Sequence, residues 1–170
     1  CALCMPTAVA LPYGEHRVTE STESRRAQRV LPATLSSVKR ITVAITGASG
    51  AIYAQRLLHH LDRSAEVSHV HLIVSAPGRR VLLEELDISG SGDELTRALT
   101  GHTVSKVDAI PNSDIGATIA SGSYPSDGMV VIPCSMSTIG ALASGAVTNL
   151  VHRAADVTLK ERRTLVLMVR

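Results

Sequence analysis

Apolar residues change their spacing several times along the chain, and each change marks an element. Ile41–Thr46 is rich in β-branched residues and reads as a strand at the start of the ordered region, near Arg40. From Ser49 to Leu61, the residues Ile52, Leu57, Leu58 and Leu61 fall near one face, the period of a helix. Val70–Ser75 is a second strand. Pro77 suits the first turn of the helix after it, whose apolar positions include Val81, Leu82 and Leu86. Gly90-Ser91-Gly92 is a loop, Asp93–Leu99 a short helix and Val104–Ile110 a short strand. Pro111–Pro125 is rich in Ser, Gly and Asn and reads as a functional loop with one helical turn at Ile115–Ala120. Met129–Pro133 is the most apolar strand, expected to lie centrally. Helices at Ile139–Ala143 and Leu150–Arg163, parted by Gly145, precede a last strand at Thr164–Arg170.

Strands that alternate with helices predict an α/β fold of three layers, with a parallel, doubly wound sheet and right-handed crossovers. Ligands of such sheets bind outside the carboxyl ends of the strands. Gly47-Ala48-Ser49-Gly50 follows the first strand, Ser75 the second and Ser135–Thr138 the fourth, while Arg170 ends the last. All four sites suit an anionic, hydrogen-bonding ligand. Residues 1–39 show no steady period, and Glu15–Arg29 is polar and charged. This part reads as a disordered or weakly helical extension to a ligand-binding domain over 40–170.

Composition adds three constraints. With no Trp, no Phe and three Tyr, the core must be built from Val, Ile, Leu and Ala, which suits a buried sheet between thin helical layers. A net charge of +2 gives no ground for nucleic-acid binding, and no apolar run approaches the roughly 20 residues of a membrane span. Cys1 and Cys4 form a single C-x-x-C without a second ligand pair, so a zinc site is not expected there, and the seven His show no metal spacing. The first residues lack the basic start of a signal peptide, so a cytoplasmic protein is expected.

The turns carry the candidate chemistry. Gly47 permits a tight turn and Gly50 a close backbone approach. The helix beyond offers free N–H groups to an anion, and Ser49 is either a cap or a ligand contact. The spacing is not G-x-G-x-x-G, and Ser75 stands where a dinucleotide site has an acid. No Gly-Lys-Ser/Thr follows, so neither an NAD fingerprint nor a Walker loop is present. Ser135, Ser137 and Thr138 put three hydroxyls at a strand–helix junction, where they cap the helix or cradle a phosphate. Arg153 and Lys160 fall on one helix face, as a solvated helix end or as two cations for a phosphate. Glu85 is a surface acid or a proton carrier.

Thr46-Gly47-Ala48-Ser49-Gly50-Ala51, Pro133-Cys134-Ser135 with Thr138, Arg153-Ala154-Ala155-Asp156-Val157 and Leu159-Lys160-Glu161-Arg162-Arg163 with Leu165-Val166-Leu167 together resemble the UbiX/Pad1 family of flavin prenyltransferases. The resemblance covers Lys39 to Arg170. It implies a flavodoxin-like Rossmann fold that binds FMN near subunit interfaces, commonly in a dodecamer. It also implies transfer of a dimethylallyl group from dimethylallyl phosphate to N5 and C6 of reduced FMN, without a metal. The product, prenylated FMN, serves UbiD-type decarboxylases.

Carried over by motif, Gly47, Ala48 and Ser49 resemble the first FMN loop, with Ser49 near the flavin N5. Ser75 matches a flavin-contacting serine. Ser135, Met136, Ser137 and Thr138 match the second FMN loop, and Arg170 a flavin-site arginine. Arg153 and Lys160 look like the cations for dimethylallyl phosphate, and Glu85 like an acid near the reacting centre. Ala76 departs from the lysine that family members often carry. The acid, the Pro-Leu pair and the later tyrosine and arginine expected after Arg170 are absent, so the chain reads as a C-terminally truncated member. The alternatives are a flavin-dependent cysteine decarboxylase, whose Pro-x-Met-Asn pattern is replaced here by Pro133-Cys134-Ser135-Met136, and a non-catalytic FMN-binding or regulatory subunit.

Overall fold

The computed structural model describes residues 38–103 and 105–170, so the expected extension over 1–39 falls almost wholly outside the described residues. The elements are β1 (Lys39–Ile45), α1 (Ala51–Arg63), β2 (Val67–Val74), α2 (Ala76–Leu86), α3 (Gly92–Thr100) and β3 (Val107–Pro111). After a 3-10 turn at Thr118–Ala120 come β4 (Gly128–Cys134), α4 (Met136–Ser144), α5 (Leu150–Lys160) and β5 (Thr164–Val169). All strand pairs are parallel, in the order β3-β2-β1-β4-β5. From β1 the chain winds outward on one side through β2 and β3, then on the other through β4 and β5. The direction reverses between β1 and β4, and there the turns after the two strands diverge and leave a crevice.

Alternation along the strands makes two cores. Val43 and Ile45 of β1 with Val70, Leu72 and Val74 of β2 pack against Ala51, Ala54 and Leu58 of α1, Leu82 of α2 and Leu95 and Leu99 of α3. Ala44, Ile73, Met129 and Val131 face the other way, onto Leu150, Val151, Ala154 and Ala155 of α5 and Ile119 of the 3-10 turn. These are the three expected layers. The small Ala side chains let the helices lie close to a core that has no large aromatic ring. Among the described residues, no helix is long and apolar enough to cross a membrane.

Several boundaries differ from the sequence expectation for identifiable reasons. β3 starts at Val107 rather than at Val104, which lies outside the described residues. The buried carboxylate of Asp62 accepts from the Lys106 amide at 2.7 Å and the Ser105 hydroxyl at 3.0 Å, so both residues turn toward α1 before the ladder begins. Burial alone would raise the Asp62 pKa, but these hydrogen bonds and the nearby charges of His102 and Lys106 hold it below the usual carboxylate range. α5 ends at Lys160 rather than Arg163 because Arg162 is left-handed, with φ 55°. Thr46 lies beyond β1 and locks its end to β4. The Thr46 hydroxyl donates to the Pro133 carbonyl at 2.8 Å and accepts from the Ser135 amide at 2.8 Å.

Candidate functional site

The crevice at the carboxyl ends of the strands is a cleft of about 290 Å³. Thr46 and Gly47 line it after β1, Ser75 and Pro77 after β2, and Ser135, Ser137 and Thr138 after β4. The two turns singled out in the sequence therefore share one space. Gly47 is needed there, because a Cβ would collide with that of Pro77.

The four helix N-termini around the cleft differ in what they leave free. At α1, the Glu85 carboxylate accepts from the Gly50 amide at 3.0 Å and the Ala51 amide at 2.8 Å. Gly50 itself has φ 108°, a left-handed value that suits glycine, and it has no side chain with which to cap the helix. The free N–H groups expected at this turn are thus already engaged by an acid from α2, and Glu85 is an anchor of the first loop. At α2 the Ser75 hydroxyl accepts from the Gly78 amide at 3.1 Å. At α5 the Asn112 carbonyl and side-chain oxygen accept from the Leu150 and Val151 amides, and Asn149 caps His152.

At α4 the Ser135 hydroxyl lies 3.0 Å from both the Ser137 and Thr138 hydroxyls and accepts weakly from the Thr138 amide at 3.4 Å. The amides of Met136 and Ser137, the first two residues of the helix, have no acceptor within it by position. Three rotatable hydroxyls and two such amides at the positive end of a helix give this side of the cleft a set of donors suited to an anion, a candidate anion cradle. Met136 contributes backbone only, since its side chain is exposed and does not line the cleft.

Ser49 and Arg170, 121 residues apart, meet beside the first loop, where the guanidinium Nε donates to the Ser49 hydroxyl at 3.2 Å. The Arg170 amide donates to the Cys134 carbonyl, which ties the end of β5 to the same turn. Ala48 is buried beneath. Arg153 and Lys160 do not line the cleft. Arg153 is ion-paired with Asp156 at 3.3 Å, and Lys160 with Glu161 at 3.2 Å. α5 starts at the cleft and runs back to the start of β5, so its last residue lies at the other end of the sheet. Eight residues of helix, about 12 Å, separate His152 from Lys160.

Six cleft residues were not among the site residues expected from the sequence: Thr46, Ala76, Pro77, Asn112, Asn149 and His152. Asn149 had a readable signal, a capping residue just ahead of an amphipathic run. Burial pushes the His152 imidazole below its ordinary pKa, partly offset by a backbone hydrogen bond to Ala146, and Nδ1 lies 3.1 Å from the Thr148 hydroxyl.

Glu85→Ala is expected to lower stability by about 1–2 kcal/mol, the range for loss of a helix cap. Glu85→Gln should cost less, because its amide keeps one accepting oxygen. Urea denaturation checks this, and identical midpoints in all three proteins would remove the anchoring role.

A doubly wound parallel sheet with a hydroxyl-lined cleft at its switch point is the architecture of α/β flavin- and nucleotide-binding proteins. The chain belongs to the Flavoprotein family, which it matches over residues 30–169. Flavin prenyltransferase LpdB of Lactiplantibacillus plantarum is 47% identical over 133 residues, 78% of this chain and 66% of that protein. The crystal structure of AnUbiX (PadA1) in complex with FMN and dimethylallyl pyrophosphate is similar with a TM-score of 0.66 and 39% identity, over 78% of this chain and 64% of that one. A dodecameric FMN-dependent UbiX-like decarboxylase of Escherichia coli O157:H7 gives 0.67 and 38%, over 77% and 66%. The chain spans just under two thirds of the length of the curated relatives it matches.

Proposed function

We propose that the chain is the flavin-binding part of a flavin prenyltransferase, which transfers a dimethylallyl group from dimethylallyl phosphate to N5 and C6 of reduced FMN. The observation that carries this reading is the cleft at the switch point, with its anion cradle at α4 and Ser49–Arg170 beside the α1 loop, in a chain 47% identical to a flavin prenyltransferase. The cradle fits the phosphate ester of FMN, held by Ser135, Ser137, Thr138 and the Met136 and Ser137 amides. Gly47, Ala48, Ser49, Ser75 and Arg170 would contact the remainder of the flavin. Bound reduced flavin supplies the electron-rich atoms that attack the allylic carbon.

The chain's own residues have three tasks. Cations on the leaving phosphate stabilise the charge that develops as its C–O bond breaks, and Arg153 and Lys160 are the candidates. Burial of the reacting carbons away from water protects the allylic cation. Bonding to both N5 and C6 would consume the prenyl double bond, which takes up one proton while C6 gives one up, and Glu85, a serine or the departing phosphate would carry these protons. Because α5 carries Lys160 away from its own cleft, a phosphate site that uses it draws it from a neighbouring copy. The dodecameric relative supports such an assembly. Phosphate rather than pyrophosphate as leaving group, the supply of prenylated FMN to a UbiD-type decarboxylase and a cytoplasmic location belong to the same proposal.

The test is anaerobic incubation of the protein with reduced FMN and dimethylallyl phosphate, followed by mass spectrometry of the extracted flavin. A flavin heavier by one dimethylallyl unit is expected. Unmodified FMN recovered from folded, FMN-loaded protein would overturn the activity, and failure to retain FMN would overturn the cofactor assignment.

A further inference from the structure

At the opposite end of β2 from the cleft, two imidazoles and a carboxylate come together. His69 and His71 alternate along β2 and so share a face, and Asp108 of β3 is the register partner of His71. One donor atom from each of the three lies within 4.8 Å of the others. The two rings are edge-on, with centroids 4.3 Å apart. His71 is 4 residues before Ser75, about 13 Å along the strand, so the cluster is separate from the flavin cleft.

His71 supplies the second observation. It is only 6% exposed, and its Nε2 lies 2.6 Å from the Tyr124 hydroxyl. Its Nδ1 is buried and has no hydrogen-bond partner, the single such side-chain atom among the described residues. A buried polar atom left without a partner costs about 1–3 kcal/mol. When Nε2–H donates to the Tyr124 oxygen, Nδ1 carries a lone pair free to bind a cation. A hydrogen bond from the second ring nitrogen is also how ligating histidines are held in one tautomer.

We propose that His69, His71 and Asp108 form a binding site for a divalent transition-metal ion, with Tyr124 orienting His71. Two nitrogens and one carboxylate suit Zn²⁺ and its neighbours rather than Ca²⁺ or Mg²⁺. In a tetrahedral zinc site the ligand atoms stand about 3.3 Å apart, so small side-chain rotations close the cluster around the ion and water completes it. Ligation needs the neutral imidazole, and the burial of His71 suits that form. Asp108 supplies negative charge, whereas the nearby Arg40 opposes a cation and limits affinity. The bound ion would staple the edge strand β3 to β2 and, through Tyr124, fix the loop that leads into β4.

The test uses Zn²⁺ and the full chain carrying Cys1→Ser and Cys4→Ser, which removes thiols that would bind the probe themselves. Competition against a chromophoric chelator is expected to give one Zn²⁺ per chain. His69→Ala, at a half-buried position, and Asp108→Asn, at an exposed one, should each weaken binding at least tenfold, and Tyr124→Phe by about tenfold. Circular dichroism confirms that each variant is folded. No stoichiometric binding, or binding that His69→Ala and Asp108→Asn leave unchanged, would overturn the site.

Discussion

Lys160→Ala protein should prenylate FMN about 100- to 1,000-fold more slowly than the parent chain, the usual loss when one preorganised charge contact to a transition state is removed. Its affinity for FMN should change little, because Lys160 lies about 12 Å along α5 from the cleft-lining His152. That separation gives the experiment a second readout. On the proposed reading, Ser49→Ala affects the flavin site of its own chain, whereas Lys160→Ala affects a phosphate site that the lysine reaches on a neighbour. Co-expressing the two variants should build mixed assemblies in which some clefts have an intact Ser49 and receive an intact Lys160. Activity above the average of the two single variants is the expected result. Activity no better than that average would place both groups in one chain's site. Unchanged turnover in Lys160→Ala alone would remove the lysine from the reaction.

Gly78→Ala is expected to destabilise the protein by roughly 2–3 kcal/mol, the upper part of the range for forcing an added methyl into a packed site. Its Cβ would stand 2.6 Å from the carbonyl oxygen of Ile45, 3.0 Å from that carbonyl carbon and 3.2 Å from the Ser75 hydroxyl. Backbone cannot swing aside as a flexible side chain does, so α2 must lift from the end of β1. Ser75, which caps α2, and Glu85, which grips the α1 loop, would move with it. FMN binding should therefore weaken together with stability. Gly140→Ala is the control. Gly140 lies within α4 and nothing stands within 4 Å of an added Cβ, so alanine there should be neutral or stabilising by up to about 1 kcal/mol. Equal urea midpoints for the two variants would refute the close-packing account of Gly78.

What could be read in the sequence was what neighbouring residues encode. The β-branched runs marked β1, β2 and β4, and the apolar period marked α1. The fold class followed from their alternation, and both turns of the cleft followed from the rule that ligands gather at strand ends. What escaped depends on residues distant in the chain. Nothing near Gly50 announces that Glu85 fills its amides, and nothing near Val104 announces that Asp62 delays β3. Asn112 enters the cleft from a loop without periodicity. The His69–His71 pair was legible as alternate positions on a strand, but the expected strand began at Val70 and left His69 out. The direction of α5 shows that a shared helix face is not a shared site, since Arg153 and Lys160 sit on one face while Lys160 lies at the far end of the sheet.

The occupation of α1 by Glu85 also makes the two turns of the cleft unequal. Its carboxylate consumes the Gly50 and Ala51 amides, so the α1 turn has fewer donors left for an anion, whereas the Met136 and Ser137 amides at α4 have no acceptor within their helix. On the proposed reading, a ligand charged at one tip is steered toward α4 by an acid that need not touch what it aligns.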